Sequence, residues 1–443
     1  MTTFVHTGDP AFRFIRSFKA VAMAAALSLV LAACGGGGGS DSASTNAASA
    51  SDTARSGSAS ASASSVAGVP ATDTASTTTP AAADTGTSKS TASTAVVGNA
   101  ANAPSTNTGA TSGASTPAAS APDAASSVTS TPIPPQTARL FYGVNGHNNE
   151  GGAYDISSTA LQLAQLQDLG AKFYRNEVYS PGTANKLAGI AQIMAAGGVT
   201  IYPVMLMGID LVNNEDEAYN AGFALGQATA NSRRYPYYEV TNELGSGALV
   251  GNVDGVYPQQ YDMAKFRMMR GVIRGMIAGI RSVDTSGKIV MGGETWLHYG
   301  FNKMLAQGME PDGSIGHPKV DWDITAWHWY SEMGDITNAC GGTGCHNVLA
   351  ELKKFGKPIW INEFGVRPNF GTDQQIADYL VGNRMMAQFV ALASTYDIES
   401  IQSYELYDDP PTGEGPFGLL KNDGVTQKPA YSAYKNFVAT HPM

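Results

Sequence analysis

From Arg139 onward, short runs of β-branched and aromatic residues alternate eight times with longer amphipathic stretches. That alternation specifies repeated β-α units around a parallel sheet, because parallel neighbours need a crossover between them and the helix supplies it. The strands are expected at 140–145, 172–178, 200–206, 237–243, 288–294, 323–330, 358–363 and 400–406. Helices are expected at 158–169, 183–196, 215–230, 261–283, 301–306, 347–355, 373–395 and 430–439. Eight units in roughly 300 residues make a (β/α)8 TIM barrel with loop insertions. An open doubly wound sheet competes, but it carries a glycine-rich phosphate turn after its first strand. Here that segment reads Gly146-His147-Asn148-Asn149-Glu150-Gly151-Gly152 and lacks the spacing.

The first third of the 443-residue chain cannot join that barrel. Arg13, Arg16 and Lys19 precede an apolar run from Ala20 to Ala33, the order and size of a secretory signal. The run is shorter than the roughly 20 residues a spanning helix needs. Residues 34–137 are Gly, Ser, Thr, Ala and Pro with almost no large apolar side chain, too little to offset the entropy of ordering. They read as a disordered tether with a reach on the order of 55 Å. The expected division is a signal at 1–33, a linker at 34–137 and one catalytic domain at 138–443.

A net charge of -10, with no basic run beyond the signal, excludes a nucleic-acid surface. The expected state is a monomer, and no cofactor or metal is required. Besides Cys34, the cysteines are Cys340 and Cys345, close together in a glycine-rich loop. They are expected to form a disulfide in an oxidising compartment. The competing metal site has only His346 adjacent, whereas structural zinc takes four ligands.

Chemistry on a barrel of this kind belongs at the C-terminal ends of the strands. Strand four reads Tyr237-Tyr238-Glu239-Val240-Thr241-Asn242-Glu243 and strand seven Pro358-Ile359-Trp360-Ile361-Asn362-Glu363. Each carries a glutamate at its end. Two carboxylates facing each other about 5 Å apart let one attack an anomeric carbon while the other protonates the leaving oxygen. Either alone reads equally well as a helix cap. Trp360 is out of phase with Glu363 and is expected to face the helices.

With these motifs, the region from Arg139 to Phe437 resembles glycoside hydrolase clan A, nearest to family 39 or family 5. The resemblance implies that Glu243 is the general acid/base, that Glu363 is the nucleophile and that Asn242 binds the 2-hydroxyl of the reacting sugar. It implies that Tyr330, in His328-Trp329-Tyr330, hydrogen-bonds the nucleophile and that Arg175 lies beneath it. The roles need a raised pKa on Glu243 and a depressed one on Glu363. Against these stand a structural salt bridge for Arg175 and a core role for His328. Asn145 and His147 are candidates for sugar hydroxyls, and Trp296 for stacking on a ring or for packing. Tyr404 and Glu405 stand where the clan often has a tryptophan platform, a departure from its pattern. Long loops at 244–260, 331–346 and 407–423 suit cleft walls, the last of them acidic.

The run Leu31-Ala32-Ala33-Cys34 resembles the lipobox of bacterial lipoproteins, which implies that Cys34 is diacylated. Gly35 after it favours the outer membrane. The function expected is hydrolysis of a cell-surface or extracellular polysaccharide with retention. Transglycosylation by the same two carboxylates and non-catalytic glycan binding are the alternatives. A metal-dependent barrel hydrolase would need closely spaced histidines at a strand end, and the sequence has none.

Overall fold

The structure is a computed structural model that describes residues 140–411 and 413–442. The expected signal, Cys34 and the linker lie outside the described residues. Eight parallel strands close a barrel: β1 (Phe141–Gly146), β2 (Phe173–Val178), β3 (Thr200–Met205), β4 (Tyr237–Val240), β5 (Lys288–Thr295), β6 (Ile324–Tyr330), β7 (Ile359–Gly365) and β8 (Ile398–Ser403). Each pairs with its chain neighbours, and β8 returns to β1 with Ser400 opposite Phe141.

Local chemistry starts the helices where the pattern places them. Ser158, Asn214, Asp262, Asn347 and Thr372 each accept a hydrogen bond from a backbone N–H in the first turn that follows. These side chains satisfy donors that the first turn leaves unpaired. Ser180 does the same ahead of Pro181, whose missing N–H costs nothing at a first helical position. The expected helix at 373–395 is two helices, Asp373–Leu380 and Met386–Tyr396, interrupted around Gly382. Strand boundaries at the mouth also differ from expectation. β4 stops at Val240, so Glu243 lies in the turn beyond it, with φ of 43°. β8 ends at Ser403, so Tyr404 and Glu405 begin the loop that follows.

Inside the barrel, Phe173, Tyr202, Val290, Ile324, Ala326 and Trp360 form an apolar layer beneath the mouth. Trp360 thus faces inward, contrary to the alternation count. The pairing of β6 with β7 runs Ala326 to Trp360 and then His328 to Glu363, so three steps on β7 oppose two on β6. This bulge restores Glu363 to the same face as Trp360. The indole packs against Tyr237, Phe173 and Tyr202 at centroid distances of 4.8, 5.0 and 5.5 Å. Trp360→Ala is expected to cost about 3–5 kcal/mol by leaving a cavity among stiff rings. Denaturant midpoints of the two proteins, compared at equal slope, check this.

Candidate active site

Arg175 is the hub of the barrel mouth. On β2 the inward positions alternate, which places Phe173 in the apolar layer and Arg175 one level above it. Its guanidinium donates five hydrogen bonds: Nε to Glu239 Oε2 at 2.6 Å, Nη1 to Glu363 Oε2 at 3.0 Å and Asn145 Oδ1 at 2.9 Å, and Nη2 to Glu239 Oε1 at 3.0 Å and Asn242 Oδ1 at 2.5 Å. Five N–H donors meet five acceptors, so a buried cation is fully satisfied. Glu239 was not singled out from the sequence. Its signal was parity, because it shares the inward face of β4 with Tyr237.

Glu363 Oε1 accepts from the Tyr330 hydroxyl at 2.5 Å, while Oε2 faces Arg175. Burial alone would raise its pKa. The positive charge around His328 and Arg175 and the Tyr330 hydrogen bond outweigh that and hold the carboxyl below its usual range. Burial, and then the charge of Glu363, push the Tyr330 phenol well up, so it remains a donor.

Glu243 Oε1 and His328 Nδ1 are 2.8 Å apart, and the same nitrogen lies 3.6 Å from Glu363 Oε2. One oxygen of each glutamate and one ring nitrogen of His328 all fall within 4.8 Å of one another. That proximity matches the roughly 5 Å separation of a retaining pair, not the 6.5–9.5 Å range of an inverting one. Burial would lower the pKa of His328, but the carboxylates of Glu363 and Glu243 raise it above the usual imidazole value. The trio could also be read as a cation site. However, both Glu363 oxygens already accept hydrogen bonds, and a guanidinium 3.0 Å away opposes a metal ion.

The imidazole fits because residue 293 has no side chain. A Cβ on Gly293 would sit 2.0 Å from His328 Nε2. Gly293→Ala is therefore expected to displace the ring, lowering kcat by about 100-fold through misplacement of its partners and stability by about 1–3 kcal/mol. Steady-state kinetics and denaturation of one preparation measure both.

The remaining candidates divide by depth. Asn145 is buried: its Nδ2 donates to the carbonyls of Asn362 and Ser403 at 3.0 and 3.2 Å, and its Oδ1 accepts from Arg175. It is a support for Arg175 and not the hydroxyl contact expected. His147 lies between Glu177 Oε2 at 3.3 Å and Glu405 Oε2 at 3.5 Å. Burial works to lower its pKa, but the Glu177 hydrogen bond and both carboxylates hold it well above the usual range. Glu405 is itself buried, which pushes its carboxyl well up, and it accepts from Tyr154 at 3.0 Å. Tyr404 packs edge-on to Tyr330 and Phe417 and lies 3.4 Å from Glu414. Burial and the charges of Glu363 and Asp409 push Glu414 up to about 7. Trp296, half-buried, stacks on Trp329 at 6.0 Å, which favours the packing reading.

The long loops are built into walls. Asp254 accepts from the backbone N–H and hydroxyl of Thr343 at 2.5 and 2.7 Å, tying the loop after β4 to the one after β6. Thr343 lies in the turn of a small hairpin, Ala339–Gly341 with Gly344–His346, where Cys340 and Cys345 are bonded. His346 is held by Tyr299 and Thr343 at 2.9 and 3.0 Å.

Fold and mouth together define a (β/α)8 barrel whose rim gathers two close glutamates, an arginine, a histidine and a tyrosine. No family model matches the chain, and neither does any curated protein. Among solved structures it is similar to the GH1 β-glucosidase from Exiguobacterium antarcticum B7, with TM-score 0.51 and 12% identity over 68% of this chain and 97% of that one. It is similar to the β-glycosidase BGL167, with TM-score 0.51 and 11% identity over 70% and 98%. The GH5_18 protein from Bifidobacterium longum subsp. longum ATCC 55813 follows, with TM-score 0.50 and 14% identity over 68% and 79%. At such identities the likeness is one of fold.

Proposed function

We propose that this chain is a retaining glycoside hydrolase with Glu363 as nucleophile and Glu243 as general acid/base. The observation that carries the reading is the approach of the two carboxyl groups to within 4.8 Å, with Arg175 and Tyr330 on one of them. Glu363, kept ionised by its neighbours, attacks the anomeric carbon as the glycosidic bond breaks, and the leaving oxygen takes a proton from Glu243. The ester removes the charge on Glu363. Glu243, now a carboxylate, takes a proton from water, whose oxygen attacks the anomeric carbon and frees Glu363. His328 lies between the two groups and touches both. Asn242, fixed by Arg175, stands where a hydroxyl next to the anomeric carbon would come.

An extended polysaccharide fits walled loops and a long tether. The matches to GH1 and GH5 proteins support the reading by fold. Diacylation at Cys34 would hold the enzyme at the cell envelope, in the outer membrane. Cys34→Ser is accordingly expected to move the protein from the membrane to the soluble fraction, measured by blotting the two.

The testing experiment is release of new reducing ends by the purified protein from β-glucans, xylans, mannans, galactans and bacterial exopolysaccharides, with the first-formed anomer read by NMR. Release with retained configuration is the expected result. Inverted product would sink the double displacement. Activity confined to small glycosides would remove the polysaccharide from the proposal, and binding without release would favour a glycan-binding protein.

A further inference from the structure

Another glutamate stands at the barrel mouth outside this mechanism. Glu294, near the end of β5, is 1% exposed, too deep to touch a substrate, yet it borders the turn that carries Glu243. Its Oε1 accepts the backbone N–H of Gly245 at 2.8 Å. The residue before it, Gly293, accepts the backbone N–H of Glu243 at 2.7 Å through its carbonyl oxygen. Two successive residues of β5 thus grip two donors of the turn that begins where β4 ends.

That turn needs holding. Thr241 and Glu243 adopt φ of 71° and 43°, a region that side-chain-bearing residues enter at a cost unless their surroundings compel them. Gly245 is shaped for the grip: a Cβ there would lie 2.9 Å from Glu294 Oε1 and 2.5 Å from the Phe301 ring. Backbone and side chain have been fitted to each other across the two strands.

We propose that Glu294 is a positioning residue, whose carboxyl clasps the Gly245 amide and so aims Glu243 at the leaving oxygen. This rests on the acid/base role of Glu243 and extends it.

The chemistry of the carboxyl supports the assignment. Burial pushes Glu294 well above the usual carboxyl range, outweighing the Gly245 and Ser246 amides, which favour the charged form, and the nearby charge of Glu243 adds to the rise. The other titratable groups around the turn include Arg175, which donates to Asn242, Glu239, which accepts the Gly293 N–H at 3.2 Å, Tyr261, whose hydroxyl donates to the Gly255 carbonyl at 2.6 Å, and His298, which meets Ser246 at 2.9 Å. His328 approaches from β6. Burial pushes Tyr261 well up and lowers His298 to about 4, so neither Tyr261 nor His298 changes charge near neutrality.

The test exploits the fact that a general acid matters only when the leaving group is poor. Glu294→Gln retains a neutral accepting oxygen, and Glu294→Ala does not. Each is compared with wild type on 2,4-dinitrophenyl and methyl β-glycosides of glucose, xylose, mannose and galactose. Glu294→Ala is expected to lower kcat on the methyl glycoside by about 10- to 100-fold. The rate of bond cleavage on the dinitrophenyl glycoside, read from the burst of phenolate, should stay within about threefold, while its steady-state kcat and KM fall together because Glu243 also serves as base in the second step. Glu294→Gln should restore most of the loss, with the basic limb of its pH profile unmoved. Hydrogen exchange should show the Gly245 amide protected in wild type and in Glu294→Gln and exposed in Glu294→Ala.

Equal losses in the bond-cleavage rate on both leaving groups, or failure of glutamine to restore the rate, would overturn the positioning role. So would an unchanged exchange rate at Gly245. Wild-type inactivity on every glycoside and polysaccharide would instead sink the glycosidase reading, and the role of Glu294 with it.

Discussion

Replacing Glu363 by alanine is expected to abolish turnover, with kcat falling at least about 10,000-fold while the barrel stays folded. The size of the loss follows from what the carboxylate does. In the proposed reaction it forms the covalent bond, and its neighbours at the mouth are engaged elsewhere: Glu243 is turned to His328, Glu239 to Arg175 and Glu294 to the Gly245 amide. The fold should survive because Arg175 keeps Glu239 as a counter-ion through two hydrogen bonds. Only Tyr330 and one N–H of Arg175 lose an acceptor, and the vacated space admits water. That space should also admit azide, which can attack the anomeric carbon in place of the missing carboxylate. The product would be a glycosyl azide of inverted configuration. Reducing-end assays with and without azide, plus circular dichroism, are the measurements. A variant keeping more than about a hundredth of wild-type activity would show that Glu363 is not the nucleophile.

The barrel was legible because its signal is repeated. Eight alternations of strand and helix composition leave little freedom, and caps such as Ser158, Asn214 and Asp262 sit at the starts that the periodicity gives. That Glu243 and Glu363 meet at the mouth was legible for a different reason: the rule that chemistry lies at strand ends selects few residues, three of the expected ends were glutamates (Glu243, Glu294 and Glu363), and the resemblance to the clan chose between them. What stayed hidden depends on geometry between strands. The inward direction of Trp360 follows from a bulge in the β6–β7 pairing, and a bulge has no marker within β7 itself.

Depth was equally hidden. Asn145 ends its strand as a ligand-binding residue would, yet its side chain turns down to the Asn362 and Ser403 carbonyls and to Arg175. Glu239 and Glu294 were each written in the strands, but what each grips belongs to a different strand or turn. One-dimensional parity gives their face and not their partner. The split of the expected 373–395 helix had a visible mark, Gly382, whose cost within a helical pattern was outweighed by the surrounding periodicity.

Arg175→Met is expected to lower both activity and stability, and the pH dependence of each distinguishes it from an ordinary core lesion. Methionine fills much of the volume but leaves Glu239 and Glu363 in a buried site without their cation. Breaking such a pair costs about 3–5 kcal/mol near neutral pH, because the carboxyl groups must either remain charged without compensation or take up protons. In wild type the Glu363 carboxyl is depressed in the folded state, with His328 and Arg175 as its cationic neighbours. A depressed folded pKa contributes stability that is present above the unfolded value, about 4.3, and lost as pH falls through the folded value. Without Arg175, the charge of His328 and the Tyr330 hydrogen bond remain against burial, so the Glu363 pKa should rise and its contribution shrink. The stability gap between the proteins should therefore be widest near pH 7 and narrow towards pH 4. The acid limb of kcat/KM should move up in pH, since Glu363 must be ionised to attack. Arg175→Lys should fall short of wild type as well, because an ammonium has three donors for a site with five acceptors. Denaturant midpoints at pH 4, 5.5 and 7 and a pH–rate profile for each variant make the measurement. A gap constant across pH, with an unmoved acid limb, would mean that Arg175 contributes packing alone and that the charge on Glu363 is set elsewhere.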